Sequence, residues 1–177
     1  MKSKIFVLAA FLSASFFLSA QEQEKKEKNR YSNLTEVGVF AASFRGVSIE
    51  ATTAHGVSFN EKQHHFGLGI GIGLNFSREN QQSYYVRTET IYMPIFLNYR
   101  YYFKPNRMFS PHVNAAIGGL AVENGAGFYS AVTMGFKAGV FSFSSGLSFM
   151  PFYKTEEYAE TIRYNSFGVT LKVGFSF

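Results

Sequence analysis

From residue 34 onward, apolar side chains recur at every second position, and short polar or glycine-bearing clusters interrupt the pattern at intervals. Period two is the signature of a β-strand, whose successive side chains point to opposite faces; a helix would repeat at 3.6. The clearest stretch has Phe66, Leu68, Ile70, Ile72, Leu74 and Phe76 alternating with Gly67, Gly69, Gly71, Gly73 and Asn75. One face of that strand is wholly apolar and the other nearly bare. The final stretch repeats the design, with Phe167, Val169, Leu171, Val173, Phe175 and Phe177 set against Ser166, Gly168, Thr170, Lys172, Gly174 and Ser176. Reading outward from these two anchors predicts eight strands, near 34–43, 47–59, 64–76, 85–103, 108–122, 128–138, 140–154 and 164–177.

The connections form two sets. NEKQ, KPNR and the Ala138-Gly139 turn are short; SRENQQS, ENGAG and KTEEYAET are longer or more polar, with SFRG a short exception in the second set. An even number of strands returns the chain to its starting side, which in a membrane barrel is periplasmic, so the short set reads as periplasmic turns. Charge decides which face is the interior, because Arg or Lys facing the bilayer midplane costs roughly 2–4 kcal/mol. Lys172 lies with glycines, Glu36 with Gly38, Glu50 with Ser48 and Thr52, Lys137 with Thr133 and Gly135, and Arg100 with Asn98. The lumen of an eight-stranded barrel is just wide enough for side chains to fill. Glu36, Glu50, Arg100, Lys137 and Lys172 are therefore expected to pair in an interior charge network bridged by water, because an unpaired buried charge is far costlier than a paired one. The same parity turns Tyr92, Pro94, Phe96 and Tyr102 inward beside the glycine face of the third strand, a filled lumen and not an open pore. Tyr99, Tyr101 and Phe103 near KPNR, and Tyr84 and Tyr85 near the opposite end, sit where interfacial aromatic girdles belong.

Composition agrees. The 177 residues are 46% hydrophobic and 18% aromatic but only 16% charged, which fits neither a disordered chain nor an ordinary soluble domain. No run near 20 apolar residues follows the first 20 positions, so a bundle of membrane-spanning helices is excluded. With no Trp, Tyr and Phe must supply the girdles; with no Cys, disulfides and an acylated amino-terminal cysteine are impossible. Residues 1–20 carry Lys2 and Lys4, then IFVLAAFLSASFFL, then Leu18-Ser19-Ala20, and read as a signal peptide cleaved near Ala20. Residues 21–33 read as a polar periplasmic tail and 34–177 as the barrel domain. Two of the five net positive charges belong to the leader, so the basic balance does not point to nucleic acid.

Three stretches, HGVSFNEKQHHFGLGIGIGLNF, MPIFLNYRYYFKPNRMFSPHVNAAIGG and the terminal FGVTLKVGFSF, resemble the small outer-membrane β-barrel family, the OmpA-like and OmpX-like barrels often labelled porin-family proteins. The resemblance implies an all-β fold, an eight-stranded antiparallel up-and-down transmembrane β-barrel in a Gram-negative outer membrane. It also implies that the terminal stretch, with Phe175 and Phe177, is the assembly signal presented to the outer-membrane insertion machinery. Family members often have Tyr where Val57 stands and Asp where Asn98 or Asn114 stands, so interior charge pairing is not carried over.

Motifs for chemistry are weak. The glycines at 67, 69, 71 and 73 are spaced by two on a strand and lack the G-x-G-x-x-G of a nucleotide loop. His55 and Ser58 differ by three positions and point to opposite faces of a regular strand, out of nucleophile–base reach. His64 and His65 diverge, and His112 is distant in sequence, so no metal set is expected. The reading is a non-enzymatic barrel with no catalytic residues, metal or cofactor, acting in a structural or adhesion role or as an accessory subunit of a larger outer-membrane complex. Its expected partners are outer-membrane lipid, the insertion machinery and such a complex. The alternative is a narrow channel or a carrier of a small apolar ligand, and the third reading is a lipid-modifying enzyme that uses His55.

Overall fold

The computed structural model describes residues 30–42, 46–81, 84–105, 107–155, 161–164 and 166–176. Ten strand segments build one antiparallel sheet: β1 (Arg30–Ala42), β2 (Gly46–Phe59), β3 (His64–Gln81), β4 (Tyr84–Tyr102), β5 (Phe109–Val122), β6 (Gly125–Ala138), β7 (Phe141–Phe149), β8 (Phe152–Thr155), β9 (Thr161–Tyr164) and β10 (Phe167–Ser176). They amount to eight staves, because β8 prolongs β7 and β9 leads into β10. Phe149 faces Phe167 and, three residues further along each strand, Phe152 faces Tyr164, so the register is unbroken across the gap. Pro151 sits in that gap with no N–H to give to the ladder, while its carbonyl still accepts from the Phe128 amide at 2.9 Å. Successive staves pair with one another, and β1 pairs with β10 to close the sheet. The fold is an eight-stranded antiparallel up-and-down β-barrel.

Closure fixes the geometry of the cylinder. Stepping across the ladder from Arg30 through Ser58, His65, Arg100, Asn114, Thr133, Gly146 and Thr170 returns to β1 at Phe40, ten residues along from the start. With eight staves, that offset tilts the strands by about 40° to the barrel axis. The basal end is where β1 begins and β10 finishes, together with the connections at 60–63, 103–108 and 139–140. The distal end is opposite.

Several boundaries differ from the sequence reading. β1 begins at Arg30, so residues 30–33, expected in the polar tail, are strand, paired from Arg30↔Ser58 to Asn33↔His55. At the distal end ENGAG shrinks to a turn of Glu123 and Asn124, the latter at φ +58°, and Gly125–Gly127 already pair with β5 and β8. SRENQQS is largely ribbon: β3 runs on to Gln81, which faces Tyr84 of β4. KTEEYAET likewise contributes to β8 and β9. These segments are polar on both faces, so they carry no apolar alternation to announce them. The leader with its cleavage site, residues 43–45 of the SFRG connection, and Phe177 lie outside the described residues.

The glycine face of β3 is where the lumen is filled. A Cβ at Gly69 would stand 2.4 Å from Phe96 ring carbons, one at Gly73 2.2 Å from the Tyr92 ring, and one at Gly71 3.2 Å from Pro94 Cγ. The large inward residues of β4 thus occupy the space that β3 leaves, and Phe96 also packs on Tyr129 with ring centroids 5.2 Å apart. Toward the distal end Phe40, Leu120, Met150 and Phe152 complete a buried apolar plug. Gly119, on the outer face, would present a Cβ with nothing within 4 Å. Gly69→Ala is therefore expected to destabilise the detergent-folded barrel by about 1–3 kcal/mol through overpacking. Gly119→Ala should change stability by less than about 0.5 kcal/mol. Urea titration followed by heat-modifiable gel migration compares the two.

Candidate functional site

The lumen stacks three kinds of layer along the axis. Nearest the basal end of its charged part, Arg100 of β4 gives Nη2 to Glu36 Oε1 at 2.6 Å and Nε to Asn114 Oδ1 at 3.2 Å. Asn98 Nδ2 donates to the same Asn114 oxygen at 3.0 Å, and the Ser142 hydroxyl donates to Glu36 at 3.5 Å. Further along, Lys172 of β10 contacts Glu50 Oε1 of β2 at 2.6 Å. Tyr129 donates to that carboxylate at 3.2 Å while accepting from Lys172 Nζ at 3.1 Å, and Tyr92 donates to Glu50 Oε2 at 3.4 Å. The apolar plug caps this layer distally.

Strand parity brings these groups together. Glu36 and Gly38 are successive inward positions of β1, and Gly38 faces Lys172 across the seam. A Cβ at Gly38 would lie 2.9 Å from Lys172 Cγ, so the absence of a side chain there lets the lysine stem cross toward Glu50. None of the four charged residues is more than 7% exposed, and Arg100 is wholly buried. Burial on that scale is tolerable only because each charge meets an opposite charge and further hydrogen bonds.

Of the five residues expected in one network, four form these two ion pairs. Lys137 is not brought to them. It lies at the basal mouth with Nζ 5.8 Å from the Tyr102 ring centroid, and makes no ion pair among the described residues. Parity put it on the right face but said nothing of its height, which the ladder sets opposite Ser110 and Ser142. Of the assembly signal, Phe175 faces outward against Phe141, with ring centroids 5.1 Å apart, and Phe177 is outside the described residues.

The outer surface is the reverse of the lumen. Val37, Ile49, Leu68, Ile72, Ile95, Leu97, Ile117, Leu147 and Val173 are all exposed, with Val132 at 66% and Leu171 at 60%. A band of aromatic contacts rings its basal margin: His64 stacks on Phe59 and accepts or donates with the Tyr99 hydroxyl at 2.8 Å, Phe109 stacks on Phe136, and Phe136 meets Phe143. Phe128, Phe149, Tyr153 and Phe167 are exposed near the distal margin.

Among solved structures, the chain is similar to a β-barrel domain. That structure is the N-terminal β-barrel domain of Pseudomonas aeruginosa OprF, 12% identical, with 85% of this chain and 98% of that chain covered and a TM-score of 0.39. No family model matches the chain, and no curated protein matches it.

The histidines separate by face. His55 points outward and Ser58 inward, where Ser58 donates to Ser32 at 2.8 Å and Ser32 in turn bonds His65 Nδ1. His64 belongs to the outer aromatic band and His65 to the lumen. One group was not singled out from sequence: Tyr31, Asn33, Thr35, Thr53 and His55 form a polar cluster on the outer face of β1 and β2. Tyr31 bonds His55 Nδ1 at 2.5 Å, Asn33 donates to Thr53 at 3.3 Å, and Thr35 donates to Asn33 at 2.9 Å. Its signal was the break in apolar alternation at residues 31, 33, 35, 53 and 55, legible only once β1 is extended back to Arg30.

Breaking one ion pair should expose its energetics. Arg100→Met leaves Glu36 buried without its counter-charge and is expected to cost about 3–5 kcal/mol, whereas Arg100→Met combined with Glu36→Gln should recover most of the loss. Equilibrium unfolding of the three proteins in one detergent checks this.

Proposed function

We propose that the protein is a non-conducting barrel of the Gram-negative outer membrane, exported to the periplasm and inserted there, which serves as a structural or accessory component of a larger outer-membrane assembly and not as an enzyme. The observation that carries this reading is the apolar sleeve around a closed sheet, broken among the described residues by the self-satisfied Tyr31–His55 cluster. An exposed apolar surface of that extent on a water-soluble monomer would be an aggregation site, whereas in a bilayer it is the solvated face. The aromatic bands at its margins match the two membrane–water interfaces. Under this reading the basal end is periplasmic, and β10 with its outward Phe175 is what the insertion machinery receives.

The plugged lumen argues against conduction. Two ion pairs, their tyrosine and asparagine partners and the distal apolar plug occupy the lumen with side chains. The short Glu123–Asn124 connection argues against a receptor domain on that hairpin. Lateral association through the sleeve is left as the route to a partner, and Gly119, with open space around it, allows close approach there. His55 and Ser58 on opposite faces argue against a hydrolytic pair.

In planar bilayers the purified protein is expected to be electrically silent, and a stable, ion-selective current would contradict the proposal. Val132→Arg, which turns a charge toward hydrocarbon, is expected to cost roughly 2–4 kcal/mol and to lower the folded fraction in lipid vesicles. Lipid profiles of cells with and without the protein should be the same.

A further inference from the structure

Below the Glu36–Arg100 layer, the basal mouth of the lumen holds a cavity of about 60 Å³ whose wall includes Arg30, Lys62, His65, Tyr102, Lys137 and Ser176. We propose that this pocket is a binding site for a small oxyanion, a phosphate or carboxylate group. Three independent observations meet there. The first is unbalanced charge: the inward carboxylates Glu36 and Glu50 are each already matched by Arg100 and Lys172, whereas Arg30, Lys62 and Lys137 make no ion pair among the described residues. Glu61, on the same turn as Lys62, faces solvent.

The second is unmet hydrogen bonding. Ten buried side-chain polar atoms have no partner within the described protein, and five of them cluster at this end: His65 Nε2, Ser110 Oγ, both ring nitrogens of His112, and Ser176 Oγ. His65 and Ser176, 3% and 5% exposed, are on the cavity wall itself. Ser110 faces Lys137 across the ladder, and His112 packs on Tyr102 at 5.5 Å. Buried polar atoms are ordinarily satisfied, so a concentration of exceptions marks a place where a further group is received. His65 is held with Nδ1 on Ser32, and its Nε2 lies toward Gly67, 3.1 Å from where a Cβ there would stand, so the ring edge lines the pocket and a small ring movement would present the nitrogen to it.

The third is size and access. A volume of about 60 Å³ accommodates a few water-sized groups, enough for one tetrahedral or planar oxyanion. Arg30 and Lys62 are exposed at the rim and open it to the basal solvent. Lys62 reaches it from a turn in which Asn60, Glu61 and Lys62 all take left-handed φ, at 51°, 55° and 68°. Water could satisfy the orphaned atoms and hydrate the exposed Arg30 and Lys62, but it does not neutralise the half-buried Lys137, which meets no acid among the described residues. An oxyanion satisfies both, through charge-assisted hydrogen bonds in a low-dielectric funnel where they are strongest.

The test uses the full chain folded in a phosphate-free maltoside micelle, titrated with inorganic phosphate in one arm and with phosphatidylglycerol in the other, each followed by ³¹P line broadening. Saturable binding that weakens at least tenfold in Lys137→Met and severalfold in Arg30→Gln is expected, with Lys104→Met, in the 103–108 connection, unchanged. Arg30 lies at the exposed rim, so its variant reads the pocket even if Lys137→Met folds poorly, and heat-modifiable migration reports folding of each. Binding in the first arm assigns a free anion; binding in the second alone assigns a lipid headgroup to the same pocket. No saturable binding in either arm, or equal binding in wild type and both pocket variants, would overturn the proposal.

Discussion

The seam between β1 and β10 is the constraint on which everything else rests. Nine consecutive pairings, from Leu34↔Ser176 to Ala42↔Gly168, join the first stave to the last and leave the barrel wall no open edge. In hydrocarbon an unsatisfied backbone group costs several kcal/mol, so only closure lets a sheet present its side chains to lipid. Closure with a ten-residue offset also sets the bore, and the bore then dictates composition. An aromatic ring on β4 needs a glycine opposite on β3, and the lysine that crosses the seam needs Gly38.

Inside that bore electrostatics is arranged by height. The two middle layers are neutral, each carboxylate held by one cation and by neutral donors, and the distal part holds the apolar plug beside the Ser48–Asn75 hydrogen bond. Such layers are not a large source of net stability, since replacing a buried ion pair with well-packed apolar groups is often neutral or better. The basal mouth differs in kind, with cations and unpartnered polar atoms and, among the described residues, no inward acid. The outer surface carries its own exception, the Tyr31–Asn33–Thr35–Thr53–His55 cluster. There polar side chains on the outward face satisfy one another by hydrogen bonds.

Parity made most of this legible from sequence. Alternation located the eight staves, and the cost of a charge in lipid assigned the faces, which placed Glu36, Glu50, Arg100 and Lys172 inward together. Parity is blind to axial height, however, and height separates Lys137 from the ion pairs. It is also blind where both faces of a strand are polar. Residues 77–81 at the β3 tip and 30–33 at the β1 start therefore read as loop and tail, although both are strand. The pocket lay beyond sequence reading altogether, because its walls come from β1, β2, β3, β4, β6 and β10 and from the 60–63 turn, and only the ten-residue offset brings them to one level.

The absence of Cys makes one measurement unusually direct. Single cysteines at each position from 167 to 176, spin-labelled in lipid vesicles, report collision rates with oxygen and with a water-soluble nickel complex. The account predicts high oxygen accessibility at Val169, Leu171 and Val173, and low accessibility to both reagents at Gly168, Thr170 and Lys172. Uniform accessibility along the strand, or nickel access on the Val169 face, would contradict it.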